Sequence, residues 1–144
     1  MSQAPASDRL FGCGAGNGIC VDAYGRAQPC LSVRAPELTL DLISGSGSGS
    51  WGERLSDALD MFSGLRELRA TNPDYLGRCA VCFLKGLCEQ CPAKSWAEHG
   101  TLDTPAAYWC GIAHAQARYM GWLCEKEFGW EVTDWRERIQ NKEV

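Results

Sequence analysis

The stretch Cys79-Ala80-Val81-Cys82-Phe83-Leu84-Lys85-Gly86-Leu87-Cys88-Glu89-Gln90-Cys91-Pro92 decides what kind of chain this is. It holds four cysteines in thirteen residues, arranged as two C-x-x-C pairs. Two residues between ligands let a tight turn aim both thiolates at one centre. The intervening N–H groups then point at the sulfurs and stabilise anionic metal–thiolate charge. Gly86 lets the chain bend between the pairs, and Val81, Phe83, Leu84 and Leu87 supply apolar cover. Cover matters because solvent exposure shifts a cluster's potential and invites oxidative loss. A single tetrahedral zinc would need only these four thiolates, so the motif by itself suits zinc and iron–sulfur alike.

Working outward, Cys13, Cys20, Cys30, Cys110 and Cys124 bring the count to nine in 144 residues. Hydrophobic residues make up 45% and charged residues 22%, the balance of a globular domain with a modest core. A net charge of −4 and a pI near 5.2 argue against a nucleic-acid or anionic-membrane partner. No apolar run approaches membrane-spanning length. Met1 to Arg9 is polar and lacks the apolar core of a signal peptide, so a cytoplasmic protein is expected. Thiols stay reduced there, and clustered cysteines bind metal rather than forming disulfides. Cys13, Cys20 and Cys30 flank an apparent hairpin and Cys110 lies beside a predicted helix. With the central four they make eight possible ligands, enough for two four-thiolate clusters.

The segments between suggest a small, loop-rich α+β fold. Residues 1–10 read as a loose leader or an added start. Ile19 to Cys30 predicts a β-hairpin turning at Tyr24-Gly25-Arg26, with Gly25 at positive φ and Cys20 and Cys30 on its two arms. Leu31 to Ile43 reads as extended or irregular. Residues 44–50 alternate serine and glycine, a flexible-linker composition that is either natural or an engineered replacement for a longer loop. A helix is predicted over Trp51 to Ala70, opened by a Ser50/Glu53 capping box and ended by Asn72-Pro73. Its apolar stripe is Leu55, Leu59, Phe62, Leu65 and Leu68, placed to cover the cysteine-rich layer. A short helical turn follows at Ser95 to Glu98. Thr104-Pro105 predicts the start of a second long helix reaching Cys124. Residues 125–144 form a charged tail carrying Phe128, Trp130 and Trp135.

The cysteine pattern resembles the SPASM domain of radical-SAM enzymes. That signature runs as a cysteine, nine to fifteen residues, a glycine, four residues and a cysteine, then C-x2-C-x5-C-x3-C and a final cysteine. Here eleven residues separate Cys13 from Gly25, and four separate Gly25 from Cys30. Cys79, Cys82 and Cys88 keep the next spacings, Cys91 comes one residue early, and Cys110 is the final member. The match covers about Phe11 to Leu123. The resemblance implies two auxiliary 4Fe–4S clusters, the first on Cys13, Cys20, Cys30 and Cys91 and the second on Cys79, Cys82, Cys88 and Cys110. Cys20 is outside the seven-cysteine signature, but members with a fully ligated first cluster place a cysteine in that region. The fold is thus expected to be a hairpin plus two main helices organised around the clusters, with residues 11–124 as one two-cluster domain.

No three cysteines have the C-x3-C-x2-C spacing of the SAM-cleaving cluster. The chain alone is therefore not expected to be catalytic, and SAM belongs only to a full-length enzyme. The resemblance implies electron transfer or substrate-peptide positioning, with a radical-SAM barrel and a substrate peptide as partners, and it suggests an excised C-terminal part. The alternatives are a zinc-binding interaction module using Cys79, Cys82, Cys88 and Cys91, or a standalone ferredoxin-like carrier. Cys124 matches nothing and reads as a buried or half-buried thiol. His114, in a helix, and His99, in a loop, show no paired ligand spacing and read as structural or surface residues. Arg78, Lys85 and Lys94 read as solvated charges. Trp96, Trp109, Trp122, Trp130 and Trp135 read as packing around the clusters or as a face against the barrel. No serine–histidine–acid set, phosphate-binding loop or paired-carboxylate motif stands out.

Overall fold

A computed structural model of the chain describes residues 6–44 and 49–140. Residues 1–5 of the expected leader, 45–48 of the Gly/Ser stretch and 141–144 of the tail lie outside them. The fold is α+β: among the described residues it has a three-stranded antiparallel sheet and five α-helices, joined by short 3-10 turns. None of these helices is long and apolar enough to cross a membrane. The chain divides into two compact units. Among the described residues, one is Arg9–Ala70 with Cys91–Asp103, and the other is Thr71–Gln90 with residues 104–140 and 6–8.

The first unit is built on the hairpin. Gly25 takes φ 73°, and the Asp22 carboxylate accepts from the Tyr24 and Arg26 N–H groups at 2.9 and 3.0 Å. That closes the turn locally, because an aspartate can bond its own backbone two residues on. β1 (Cys20–Val21) and β2 (Arg26–Gln28) pair antiparallel, with Cys20 opposite Gln28. Cys30 lies beyond the end of β2 instead of on the strand. A third strand, β3 (Leu40–Asp41), pairs with β2 and places Leu40 opposite Ala27. It falls in the segment read as irregular, where two residues offer no alternation to read.

α1 (Trp51–Ser63) starts with the expected capping box: the Ser50 hydroxyl accepts from the Glu53 N–H at 3.4 Å, and the Glu53 carboxylate accepts from the Ser50 N–H at 2.5 Å. The pair contributes about 1 kcal/mol. The helix stops earlier than its apolar spacing suggests, giving way to a 3-10 turn over Gly64–Glu67. Ala58, Phe62 and Leu65 are buried, while Leu59, inside α1, and Leu68, after the turn, are exposed. α1 packs on β2, and the core it builds with Phe11, Val33 and Leu42 holds Cys30 and Cys91 half-buried at its edge. α3 (Pro92–His99) adds Ala93 to that core. It is longer than the turn expected at Ser95 to Glu98 and puts His99 on its last turn, not in a loop.

In the second unit Asn72-Pro73 begins a helix and does not end one. The Asn72 side chain accepts from the Asp74 N–H at 2.9 Å, and Pro73 opens α2 (Pro73–Gly77). A proline at the first helical position lacks only an N–H that had no partner in any case. α4 (Ala107–Tyr119) starts later than Thr104-Pro105 suggests. Gln90 explains the delay: its side-chain carbonyl accepts from the Ala106 N–H at 3.0 Å while its amide donates to the Thr104 carbonyl at 3.4 Å. α4 ends before Cys124, where Met120 caps it and Gly121 turns left-handed at φ 71°. The 3-10 turn over Phe83–Gly86 packs on α4. α5 (Trp135–Gln140) returns to stack Trp135 on Phe83 at 5.6 Å.

Two predictions follow from this packing. An alanine at Gly25 would be held in the left-handed region and would strike the Ile43 side chain. Gly25→Ala should lower stability by about 1–2 kcal/mol, read as a drop in the thermal midpoint. Arg138 bridges Glu127 at 2.6 and 3.0 Å and Asp134 at 2.9 Å. Hydrogen bonds from the Arg138 side chain, then from the Cys124 N–H, hold the Glu127 carboxyl down to about 2 from its usual 4.5. A depressed carboxyl stabilises the fold above its unfolded value and stops doing so as pH falls through its folded value. Hydrogen exchange in α5 should therefore quicken, beyond its intrinsic pH dependence, as pH falls from about 4.5 to about 2, and Arg138→Ala should give the same exposure at pH 7.

Candidate metal centre

Local chain geometry aims the cysteines of the second unit. Past α2 the Ala80 N–H bonds back to the Tyr75 carbonyl at 2.9 Å, which swings Cys79 off the helix. Cys82 precedes the 3-10 turn, and the Leu84 N–H donates to its sulfur. The Cys88 N–H bonds the Leu84 carbonyl at 2.7 Å, closing the loop. Cys110 comes from the first turns of α4. Cys79, Cys82, Cys88 and Cys110 together line one small cavity of about 20 Å³, walled by Leu84, Pro105, Ala106, Ala113 and Trp130. Among the described residues no three His, Cys, Asp or Glu side chains form a group able to hold a single metal ion.

Electrostatics follow from that crowding. Burial, then the neighbouring Cys88, Cys110 and Cys82 sulfurs, push the Cys79 thiol up to about 12. Burial pushes Cys82 up to about 11 against the relief from the Leu84 N–H. At neutral pH these two are neutral thiols, because an anion there is poorly solvated and repelled by its neighbours. A cationic group among them removes both objections, and its binding must release protons. On donor chemistry, a ring of thiols in an apolar wall with an N–H aimed at sulfur fits a thiolate-ligated metal group. The Cys82 thiol, Leu84 and the tail meet at Gly129, where a Cβ would lie 2.7 Å from the Cys82 sulfur and 2.8 Å from Leu84 Cγ. The Phe83 N–H bonds the Gly129 carbonyl at 3.2 Å.

Several charged and polar groups at the cavity differ from their reading in sequence. Arg78 is not a solvated charge: it bonds the Asp74 carboxylate at 3.0 and 3.2 Å and lies 4.7 Å over the Trp130 ring. Lys85 lines the cavity, and its ammonium donates to the Ser7 carbonyl at 2.6 Å and the Tyr75 hydroxyl at 3.2 Å. Burial lowers its pKa. Lys94 is half-buried on α3. His114 is buried with both ring nitrogens engaged. Nδ1 lies 2.8 Å from the Cys110 carbonyl and 3.5 Å from its sulfur, while Nε2 accepts from the Gly129 N–H at 3.0 Å. Those partners assign the neutral Nδ1–H tautomer, and burial lowers the ring's pKa to match.

The other four sequence-predicted ligands belong to the first unit. Cys20 on β1 and Cys30 past β2 line a shallow pocket with Gly14, Ala15 and Pro29. Cys13 is exposed in the glycine-rich loop before β1, and Cys91 sits half-buried at the start of α3; neither lines that pocket. None of the nine cysteines is in a disulfide. Cys124 is exposed, not buried, because α4 ends before it; its N–H donates to Glu127 at 2.8 Å. Sequence reasoning missed Trp130 and His114 as walls of the cavity, and Gly129 as the point where the tail meets Cys82. The available signal was a glycine between two aromatics, Phe128-Gly129-Trp130, in an otherwise charged tail.

Comparison with family models, curated proteins and solved structures finds no match to this chain. Gly129→Ala tests the packing at the cavity. The added methyl forces the loop and tail apart, with a cost of about 1–3 kcal/mol read in the thermal midpoint. A change within error would mean that the tail does not lie against Cys82.

Proposed function

We propose that the chain is an auxiliary iron–sulfur domain of the SPASM type. One 4Fe–4S cluster would be held by Cys79, Cys82, Cys88 and Cys110, the other by Cys13, Cys20, Cys30 and Cys91. The domain serves electron transfer, substrate-peptide positioning or both beside a radical-SAM barrel that modifies peptides. When bound, each cluster supplies a one-electron couple whose potential its surroundings set. No cysteine trio here has the spacing of a SAM-cleaving cluster, so SAM chemistry belongs to the barrel.

One observation carries the reading. Cys110, from a separate helix, joins Cys79, Cys82 and Cys88 around a single cavity, whereas Cys91 belongs to the other compact unit with Cys13, Cys20 and Cys30. A four-cysteine zinc loop would use Cys91 as its fourth ligand and give Cys110 no part. The division supports two four-thiolate sets that exchange one cysteine, which is the arrangement the resemblance implies. The apolar walls and the Leu84 N–H on the Cys82 sulfur suit an anionic cluster.

A paired substitution tests this. After anaerobic reconstitution, Cys110→Ala and Cys91→Ala should each lose up to about four of about eight irons per chain, with different residual spectra because a different cluster is damaged in each. If Cys91→Ala emptied the central site and Cys110→Ala kept all its metal, the zinc loop would replace this reading.

A further inference from the structure

We propose that Arg78 sets the potential of the group held by Cys79, Cys82, Cys88 and Cys110, acting as a fixed charge against the Trp130 wall of their cavity; this rests on the iron–sulfur reading above. His114 Nδ1 lies 3.5 Å from the Cys110 sulfur and Arg78 stacks on the Trp130 ring, and the two are not equivalent. His114 is neutral, its lone pair occupied by the Gly129 N–H. Arg78 carries a permanent charge.

The guanidinium is held in place from two sides. Asp74, one turn earlier, takes Nη1 on both carboxylate oxygens at 3.0 and 3.2 Å. The Trp130 ring, itself a wall of the cavity, lies 4.7 Å beneath Cζ. The remaining donor, Nε, is buried with no partner among the described residues. A buried donor left unused by the protein costs free energy unless something else accepts from it. Lys85, which lines the cavity itself, does not compete for this role: its ammonium is turned to the Ser7 carbonyl and the Tyr75 hydroxyl.

The physical effect has a definite sign. A one-electron donor in solution reduces the cluster, which becomes more negative by one charge as the donor is oxidised. A fixed cation against the cavity wall favours the reduced form and raises the potential. Asp74 offsets part of that charge, so the net effect is moderate. Arg78 is thus a positioning and tuning residue, not a ligand.

The test is a redox titration of the reconstituted two-cluster chain followed by electron paramagnetic resonance, with iron counted on the same samples. In Arg78→Gln one of the two potentials should fall, shifting that cluster's reduction equilibrium about tenfold, or ~59 mV for a one-electron couple. The second potential should stay, as should the iron content. Arg78→Lys, which keeps the charge, should recover most of the shift. Unchanged potentials in a fully loaded Arg78→Gln protein would overturn the proposal, as would equal movement of both. If Arg78→Gln and Arg78→Lys both lose iron, Arg78 serves assembly, not tuning, and the proposal also fails. Absence of iron from the unsubstituted chain would instead remove the reading on which it rests.

Discussion

Cys79 and Cys82 cannot both stay as bare anions in their half-buried cavity. Burial and the neighbouring sulfurs drive the Cys79 and Cys82 thiols up to about 12 and about 11. The second unit is arranged around that conflict. α2 and α4 bring Cys79 and Cys110 from different directions, the 3-10 turn presents an N–H to Cys82, and the tail seals the wall through Gly129 and Trp130. In the reading proposed here a cationic iron core resolves the conflict, so loading and folding are one process.

The two units handle their cysteines differently. The second has a formed cavity, with apolar walls and a charged Arg78–Asp74 pair beside it. The first has a conventional small core under α1, with Cys30 and Cys91 at its edge and Cys13 in an exposed loop. Burying Phe62 and its neighbours gives that unit stability of its own, on the order of 2 kcal/mol for each large apolar side chain. The second unit's buried core is smaller, built on Leu84, Ala117, Leu123 and Cys82 itself, so more of its order falls to whatever the thiols bind.

Local chemistry explains which features could be read from sequence. The Gly25 turn and the Ser50/Glu53 box were legible because each is completed within four residues. Asn72-Pro73 was misread because the same pair that stops one helix also starts another, and only the Asp74 N–H on Asn72 decides. The start of α4 is set by Gln90, and the length of α1 by a 3-10 turn; neither leaves a periodic trace. The candidate ligands could be named from spacing alone. Their surroundings could not: Arg78 sits next to Cys79 in sequence, yet its contact with Trp130 comes from the far C-terminal part of the chain.

The central claim is that the thiols of this chain hold two iron–sulfur clusters. Iron, acid-labile sulfide and zinc measured per chain after anaerobic purification and reconstitution, with an absorption spectrum of the same sample, test it most directly. The account predicts about eight iron, about eight sulfide and a broad band near 400 nm. One or two zinc ions with no sulfide and no colour would contradict it.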